Sequence, residues 1–423
     1  MIGAAAGQGT IIEDKKLMHK KLFLICVLLM ALMISCKSIG GSKVPKPPSA
    51  VKKASQLQVT NQSETFIEET QLLSLSPDGK WFFSLMLDSI CIFDAASLAE
   101  KVCSSWNTSL DPKSIAWAPD SQRIAFAENL AVLTESDIWV FDISAGKLNN
   151  ITNDGLEGDL TTSRQRAKSE VTEINLDSLP AWSPDGKTLV FVRSTYGDTK
   201  QTILCTIPAA GGEVTKLVIA DSKHSLAVWR AMRWTPDGKN ILFTITILEE
   251  TTDKNGIWIV DKNGDNYKQL VKEKEGWGYP ALYDVSAKGD KALIGYPRAI
   301  TRADFNPNLS FYELLDLKTG SLTPLKETST EQTSSQPKFY SPTQVTFSPD
   351  GSKILYHYKQ EVGDQPTPQL VIRDVDGTGE EVLGSWPIYI GDDVGTTLFW
   401  ARNDTVYLMT GPGMGFLYTL GSK

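Results

Sequence analysis

Residues 182–191 read WSPDGKTLVF, in which a large aromatic residue, a Ser-Pro-Asp-Gly turn and a run of β-formers follow one another. Proline presets φ for the first corner of a type I turn, aspartate hydrogen-bonds nearby backbone, and glycine takes the left-handed position. Such a turn joins two antiparallel strands. The phrase therefore predicts a β-hairpin.

The same phrase returns along the chain with small changes. Its other copies are LSPDGKWFFS from Leu75, WAPDSQRIAF from Trp117, WTPDGKNILF from Trp234 and FSPDGSKILY from Phe347. Two degraded copies, YDVSAKGDKALIGY from Tyr283 and FWARNDTVYLM from Phe399, bring the number of turns to seven, at spacings of 42 to 65 residues. A repeat of this length is typical of solenoids, propellers and arrays. Apolar runs such as SICIFD and GIWIVD follow the hairpins and suit strands packed on both faces, so each repeat predicts one four-stranded blade.

The SPDG turn followed by a strand such as GIWIVD resembles the TolB-like β-propeller repeat, which is related to the WD-type repeat. The resemblance covers the chain from roughly residue 56 to the C-terminus. Propellers with this signature serve as binding scaffolds, as periplasmic components and as the non-catalytic half of some peptidases. The resemblance therefore implies a fold and leaves the function open.

The two ends of the repeat array predict how the ring closes. The last repeat has only three strands, TTLFWAR, TVYLMTG and GFLYTLGSK, and a blade left one strand short would expose an edge. The alternating segment SQLQVTN, residues 55–61, precedes the first hairpin and can supply the missing strand. The sequence predicts an all-β, seven-bladed propeller of four-stranded antiparallel blades over residues 55–423, closed by an N-terminal strand.

Residues 1–36 have the pattern of an export signal. KKLMHKK supplies positive charge, LFLICVLLMALMI (22–34) is too short to span a bilayer comfortably, and MISC resembles a bacterial lipoprotein box with Cys36 as the lipidated residue. An uncleaved anchor is the other interpretation, and both place the propeller outside the cytoplasm. Residues 37–54, rich in Lys, Pro, Gly and Ser, are predicted to be a disordered tether. We expect a lipid-anchored protein of the cell membrane or outer membrane.

The composition and the spacing of motifs argue against several kinds of partner and site. A net charge of −8 without a basic stripe argues against a nucleic-acid partner. The chain has no His/Cys spacing that would build a zinc site and no G-x-S-x-G elbow, so we predict no metal, no cofactor and no catalytic residue. Cys91 and Cys103 would face each other across a hairpin. A cross-strand disulfide and two small buried apolar residues are the two interpretations of that pair.

Two long segments interrupt the repeat. Residues 154–178, between blades two and three, mix both charges with few large apolar residues, and we interpret them as a mobile surface excursion. Residues 297–309 interrupt blade five. Loops on a rigid scaffold often carry function, although many insertions are only tolerated.

A ligand site is predicted around one mouth of the channel, formed by residues just ahead of the innermost strands. Blades four to seven place large side chains there and blades one to three place few, so we expect a lopsided mouth. The candidate ligand-binding residues are Trp229, Arg230, Arg233, Trp277, Tyr279, Phe339, Tyr340, Trp386 and Tyr389. Aromatic and arginine side chains are over-represented at binding hot spots. The alternative is that these aromatic residues pack between blades as core.

Two functions from different classes remain open. The favoured hypothesis is a non-catalytic binding scaffold for an envelope protein or for a cell-wall or carbohydrate ligand. The alternative is a propeller enzyme of the polysaccharide lyase or glycosidase type that uses the central funnel. Such an enzyme should gather carboxylates, His or Arg at one mouth.

Overall fold

The structure is a computed structural model. It describes residues 57–66, 71–128, 135–155, 173–197, 201–220, 225–226, 232–246, 253–273, 280–296, 312–325, 339–340, 345–362, 365–385, 397–411 and 414–422. The predicted signal peptide, Cys36 and the tether lie outside these residues. Within them the helical element is a single 3-10 turn, Pro112–Ser114, and no helix is long and apolar enough to cross a membrane.

The described residues form seven antiparallel sheets, and six of them are built from strands that follow one another in the chain. The strands of blades one to three are β2 (Gln71–Leu75), β3 (Trp81–Leu85), β4 (Ser89–Asp94), β5 (Glu100–Ser105), β6 (Ala116–Trp117), β7 (Arg123–Ala127), β8 (Ile138–Asp142), β9 (Lys147–Asn150), β10 (Glu173–Trp182), β11 (Thr188–Gly197), β12 (Gln201–Pro208) and β13 (Thr215–Ala220). In each of these blades the strand order from the inner to the outer edge is the order in the chain.

Blades four and six divide their innermost strand into two pieces, both paired with the second strand of the blade. The strands of blades four to six are β14 (Ser225–Leu226), β15 (Met232–Trp234), β16 (Asn240–Thr246), β17 (Gly256–Asp261), β18 (Lys268–Lys272), β19 (Ala281–Val285), β20 (Lys291–Gly295), β21 (Tyr312–Asp316), β22 (Leu322–Pro324), β23 (Phe339–Tyr340), β24 (Val345–Phe347), β25 (Lys353–Val362), β26 (Gln365–Asp374) and β27 (Glu381–Ser385).

Blade seven closes the ring with strands from both ends of the chain. Its strands are β28 (Thr397–Trp400), β29 (Thr405–Gly411), β30 (Met414–Ser422) and β1 (Leu57–Phe66). β1 pairs antiparallel with β30 from Leu57 opposite Ser422 to Phe66 opposite Met414. The predicted seven-bladed propeller, closed by an N-terminal strand, is confirmed. The closing strand extends further toward blade one than the predicted segment, because β30 offers partners along its whole length.

Neighbouring blades are joined at their inner edges by tryptophan side chains. In blades two, three and four the residue before the turn is Trp, and its indole N–H donates a hydrogen bond to the innermost strand of the preceding blade. These bonds run from Trp117 to Ser74 Oγ at 2.9 Å, from Trp182 to the Ala116 carbonyl at 2.9 Å and from Trp234 to the Ala181 carbonyl at 3.2 Å. An aromatic residue in this position packs apolar area between blades and satisfies its own polar atom.

One part of the predicted surface excursion is β-strand. Residues 173–178 belong to β10, which is ten residues long and extends past the paired region of β6 in the blade before it. Asp177 on this extension is fully buried. The interpretation of 154–178 as a mobile surface segment is therefore wrong for its C-terminal part. The second insertion, 297–309, lies outside the described residues.

Candidate functional site

The two ends of the ring are built differently. At one end, here called the turn end, lie the SPDG-type turns and the turns that join the third strand of each blade to the fourth. At the other end, the loop end, lie the connections from second to third strands and from each blade to the next. The chain runs alternately toward each end, so this assignment follows from the strand order alone.

The turn end repeats one hydrogen-bonded design. In blade three Ser183 Oγ donates to Asp185 Oδ1 at 2.7 Å and accepts from the Thr188 N–H at 3.0 Å, and Gly186 has φ of +67°. Blades one, four and six make equivalent contacts, through Ser76, Thr235 and Ser348. The side-chain bonds lie within each turn, while the N–H groups of Asp78 and Asp350 donate to Ser121 Oγ and Asn403 Oδ1 of the following blade, each at 3.2 Å. These bonds leave few groups of the described turns for a ligand.

The loop end holds a buried polar seam between blades two and three. Ser136, between the second and third strands of blade two, forms a parallel bridge to Leu176 on β10. The Asp177 N–H donates to the Ser136 carbonyl at 2.8 Å, and Ser136 Oγ donates to the Asp177 carbonyl at 2.7 Å. Arg193 on β11 makes two hydrogen bonds to the Asp177 carboxylate, both at 2.7 Å. Bidentate pairing compensates the cost of burying that carboxylate.

Two further carboxyl groups line the blade-two side of the seam. Asp137 accepts hydrogen bonds from Asn150 Nδ2 at 2.7 Å and from Thr152 Oγ1 at 3.1 Å. Glu128, which is 4% exposed, accepts from the Asp137 N–H at 3.2 Å. Together with Asp177 these groups form the blade 2/3 seam.

Burial changes the acidity of the two blade-two carboxyl groups. It raises the pKa of Glu128 to about 7, against the effect of the hydrogen bond from the Asp137 backbone, which lowers it. Burial also raises the pKa of Asp137 to about 6, and the nearby charges of Asp154 and Asp177 act in the same direction. Both groups therefore change protonation near neutral pH. In their protonated form they can donate a hydrogen bond, which a carboxylate cannot do.

A second polar group joins the innermost strands of blades four, five and six. Asp284 Oδ2 accepts hydrogen bonds at 2.9 Å from Thr346 Oγ1 and from the Phe347 N–H. Its other oxygen lies 3.7 Å from Nε of Arg233, whose side chain is partly exposed. Arg233 lies within β15, near the turn end, and not ahead of the strand as expected from the sequence. Small residues occupy the equivalent positions of blades one to three, namely Ser74, Ala116 and Ala181.

Most of the other predicted ligand-binding residues lie outside the described residues. These are Trp229, Arg230, Trp277, Tyr279, Trp386 and Tyr389. The backbone of Phe339 and Tyr340 forms β23 at the loop end of blade six, opposite Gln360 and Lys359 of β25. The side chains of Phe339 and Tyr340 lie outside the part of the chain that the structure describes. In blade one the structure joins Cys91 and Cys103 as a cross-strand disulfide.

The blade 2/3 seam was missed by sequence reasoning. One signal was present, since Glu128 directly follows the apolar strand RIAFA and Asp137 directly precedes IWVF. Acids at the ends of buried strands are also common at solvated surfaces, so that signal cannot distinguish a buried carboxyl from an exposed one. The partner that buries them comes from the next blade.

Comparisons with known proteins give partial matches. No protein-family model matches the chain. The curated protein named uncharacterized peptidase YuxL, from Bacillus subtilis, is 27% identical over 183 residues, which is 41% of this chain and 24% of that protein. Dipeptidyl-peptidase 5 from Porphyromonas gingivalis is 23% identical over 186 residues, 42% of this chain and 22% of that protein. The matches thus span less than a quarter of the length of these relatives.

Solved structures match over more of the chain. Oligogalacturonate lyase from Vibrio parahaemolyticus has a TM-score of 0.58 at 10% identity, covering 87% of this chain and 98% of that one. A prolyl endopeptidase has a TM-score of 0.54 at 14% identity, covering 85% and 51%. The propeller domain of Swd1 from Myceliophteria thermophila reaches 0.50 at 11%, covering 85% and 99%. TolB from Acinetobacter baumannii has a TM-score of 0.41 at 20% identity, covering 76% of this chain and 62% of that one. These likenesses show the fold alone.

Proposed function

We propose that the chain is an extracytoplasmic propeller that binds an envelope protein, or a cell-wall or carbohydrate ligand, at its loop end without catalysing a reaction. The observation that carries this proposal is the difference between the two ends of the ring. The turn end repeats one hydrogen-bonded turn, whereas the connections of the loop end differ in length and sequence from blade to blade. A rigid scaffold that presents varied connections at one end is a common design for a binding surface.

Arginine at the inner edge adds chemical detail to this proposal. Arg233 Nε lies 3.7 Å from an Asp284 carboxylate oxygen, and Arg233 Nη1 donates a hydrogen bond to the Met232 carbonyl at 2.9 Å. The unequal polarity of the inner strands supports binding on the side of blades four to six.

The proposed location rests on the N-terminal sequence. Residues 1–36 would direct export and Cys36 would carry the lipid, so that the propeller stands outside the cytoplasm on a tether. Replacing Cys36 with Ala should move the protein from the membrane fraction to the soluble exported fraction, because a single residue would carry the whole anchor. Tight membrane association of this variant would contradict a lipid anchor and favour an uncleaved helix.

A propeller enzyme is the second candidate. Its support is the match to oligogalacturonate lyase, which spans nearly all of that chain and most of this one, together with the peptidase names of the curated relatives. The carboxyl groups of Glu128 and Asp137 have a pKa near neutrality, which is the property that a general acid or base needs.

One experiment separates the two candidates. The purified chain is screened against envelope extract and against an array of cell-wall and uronate oligosaccharides, and each hit is tested for affinity and for chemical conversion. A scaffold should bind without conversion, and Arg230→Ala with Trp277→Ala should weaken binding by about tenfold or more, as expected for hot-spot residues. The matched control is Lys187→Ala with Lys239→Ala at the turn end, which should change nothing.

The outcomes are distinct. Equal loss of affinity in the Arg230/Trp277 variant and in the Lys187/Lys239 variant, at unchanged melting temperatures, would contradict a loop-end site. Formation of an unsaturated sugar or of new reducing ends would establish the enzyme instead. In that case Glu128→Gln should abolish conversion while leaving the affinity for the oligosaccharide in place.

A further inference from the structure

Blade one contains a set of metal-ligating side chains that the proposed function does not use. Cys91 on β4 lies directly opposite Cys103 on β5. The sulfur atoms of both cysteines and a carboxylate oxygen of Glu100 all lie within 4.8 Å of one another. The Met86 thioether is also close, with its sulfur 3.3 Å from Cys91 Sγ.

A β-bulge explains why Glu100 joins the two cysteines. In β5 the register shifts so that Glu100, and not Lys101, lies opposite Phe93. Phe93 is two residues after Cys91 and therefore projects from the same face of the sheet. The bulge places the carboxylate on the face that carries both sulfur atoms. Without this extra residue a lysine would occupy the position.

The set is open to solvent on one side only. Cys91 is fully buried in a cluster that includes Phe82 of blade one and Tyr407 of blade seven. Cys103 is half-buried and Glu100 is exposed, and both lie on β5, the outermost strand of the blade. A cation could therefore enter from the outer edge of blade one and be covered on its inner side by the seam to blade seven.

We propose that reduction of the Cys91–Cys103 disulfide creates a zinc site formed by both cysteines and Glu100. A dithiol reductant supplies two electrons, the protein S–S bond breaks, and the reductant becomes its own disulfide. The two cysteine thiols then lose one proton each as Zn²⁺ binds. Two thiolates and a carboxylate are ligands that Zn²⁺ accepts in tetrahedral sites, with water in the fourth position.

The disulfide and the bound cation exclude each other, because both use the same two sulfur atoms. Zn²⁺ has no redox chemistry of its own, so occupancy would follow the thiol state alone. Reoxidation by a low-molecular-weight disulfide takes two electrons from the thiolates and releases the cation unchanged. The site would thus hold zinc only under reducing conditions.

The test uses the full chain with Cys26→Ser, Cys36→Ser and Cys205→Ala, which leaves the pair as the only cysteines. Zn²⁺ is titrated in competition with a chromophoric chelator. We expect one equivalent bound by the reduced chain, none by the oxidised chain, and release when oxidised glutathione is added. Cys103→Ser should abolish binding, and Glu100→Gln should weaken it by about tenfold, or about 1.4 kcal/mol. Glu213→Gln, an exposed glutamate of blade three, is the matched control and should bind as the parent does.

Three results would overturn the proposal. They are absence of zinc binding by the reduced chain, equal binding after Cys103→Ser, and equal binding after Glu100→Gln. X-ray absorption at the zinc edge gives an independent readout, since it should report two sulfur neighbours in the parent. Circular dichroism of each reduced variant checks the fold, and loss of the fold on reduction of the parent would also exclude the site.

Discussion

The turn end and the loop end are built from the same repeat, yet they differ in what sets their structure. At the turn end, residues close together in sequence satisfy one another, as Ser183, Asp185 and Gly186 do. At the loop end, part of the blade 2/3 seam depends on partners from another blade, as Ser136 does on β10. Local chemistry therefore repeats along the chain, whereas the buried carboxyl groups between blades two and three depend on residues particular to that seam.

The largest effect is expected from opening the ring. Deleting residues 57–66 removes β1 and leaves the edge of β30 unpaired. Blade seven then lacks its outer strand, and the two ends of the chain are no longer joined by strand pairing. Thermal unfolding should lose its cooperativity or shift strongly to lower temperature. Deleting residues 37–50, in the predicted tether, is the control and should leave the melting curve unchanged. Equal melting temperatures for the two truncations would contradict closure by β1.

The next effect compares one ion pair from each end. Arg193→Leu leaves the fully buried Asp177 carboxylate without its partner, and we expect a loss of about 3 to 5 kcal/mol in the free energy of unfolding. At the turn end Lys239 lies 3.8 Å from Asp237, with both side chains largely exposed. Lys239→Leu should therefore cost less than about 1 kcal/mol. Urea unfolding measures the free energy of unfolding of both variants. Similar losses would mean that the buried ion pair of the seam stabilises the fold no more than the exposed pair does.

The blade 2/3 seam should also make stability depend on pH. The pKa of Glu128 is raised from 4.5 to about 7 in the folded state. Between these values the folded chain binds more protons than the unfolded chain, so the free energy of unfolding should fall as pH rises from about 4.5 to about 7. Asp137, with its pKa raised to about 6, acts in the same direction at lower pH.

Replacing Glu128 with Gln isolates this contribution. The amide keeps an acceptor for the Asp137 N–H but cannot ionise, so the variant should be more stable than the parent at pH 8, on the order of 2 kcal/mol. At pH 4.5 the two should be close. Glu213→Gln serves as an exposed control and should follow the parent at both pH values. The contrary outcome would be a free energy of unfolding of the parent that, relative to the Glu128→Gln variant, is lower at pH 5 than at pH 8. That result would contradict a raised pKa of Glu128 in the folded state.

The smallest effect tests whether the turns are equivalent. Gly186 and Gly238 both have φ of +67°, a region that side chains with a Cβ avoid. Substituting either by Ala should cost about 1 to 2 kcal/mol, and by Asn less, because Asn tolerates the left-handed conformation. Chemical denaturation of the four variants should give matching pairs. If the loss in free energy of unfolding differed between blades three and four, the two turns would not be energetically equivalent.

Much of the fold could be predicted from local chemistry. The SPDG turns set the hairpins, their spacing set the number of blades, and the three-stranded last repeat indicated closure by residues near 55–61. The indole bonds of Trp117, Trp182 and Trp234 depend on neighbouring blades and could not be read from spacing. For the cysteine pair the sequence left two interpretations open, and the strand register decided between them by setting Cys91 opposite Cys103.

The repeat can be read from consecutive residues, because a turn is specified by a few neighbours whose backbone preferences act locally. Only the tertiary structure decided which polar groups are buried. Asp177 lies in a segment whose composition is typical of a surface loop. In the structure this segment is part of β10, which places Asp177 in the blade 2/3 seam, where Arg193 compensates its charge. Burial raises the pKa of Glu128 and of Asp137, and β10 of the next blade packs against the strands that they adjoin. Burial depends on residues far apart in the chain, and no local pattern carries that information.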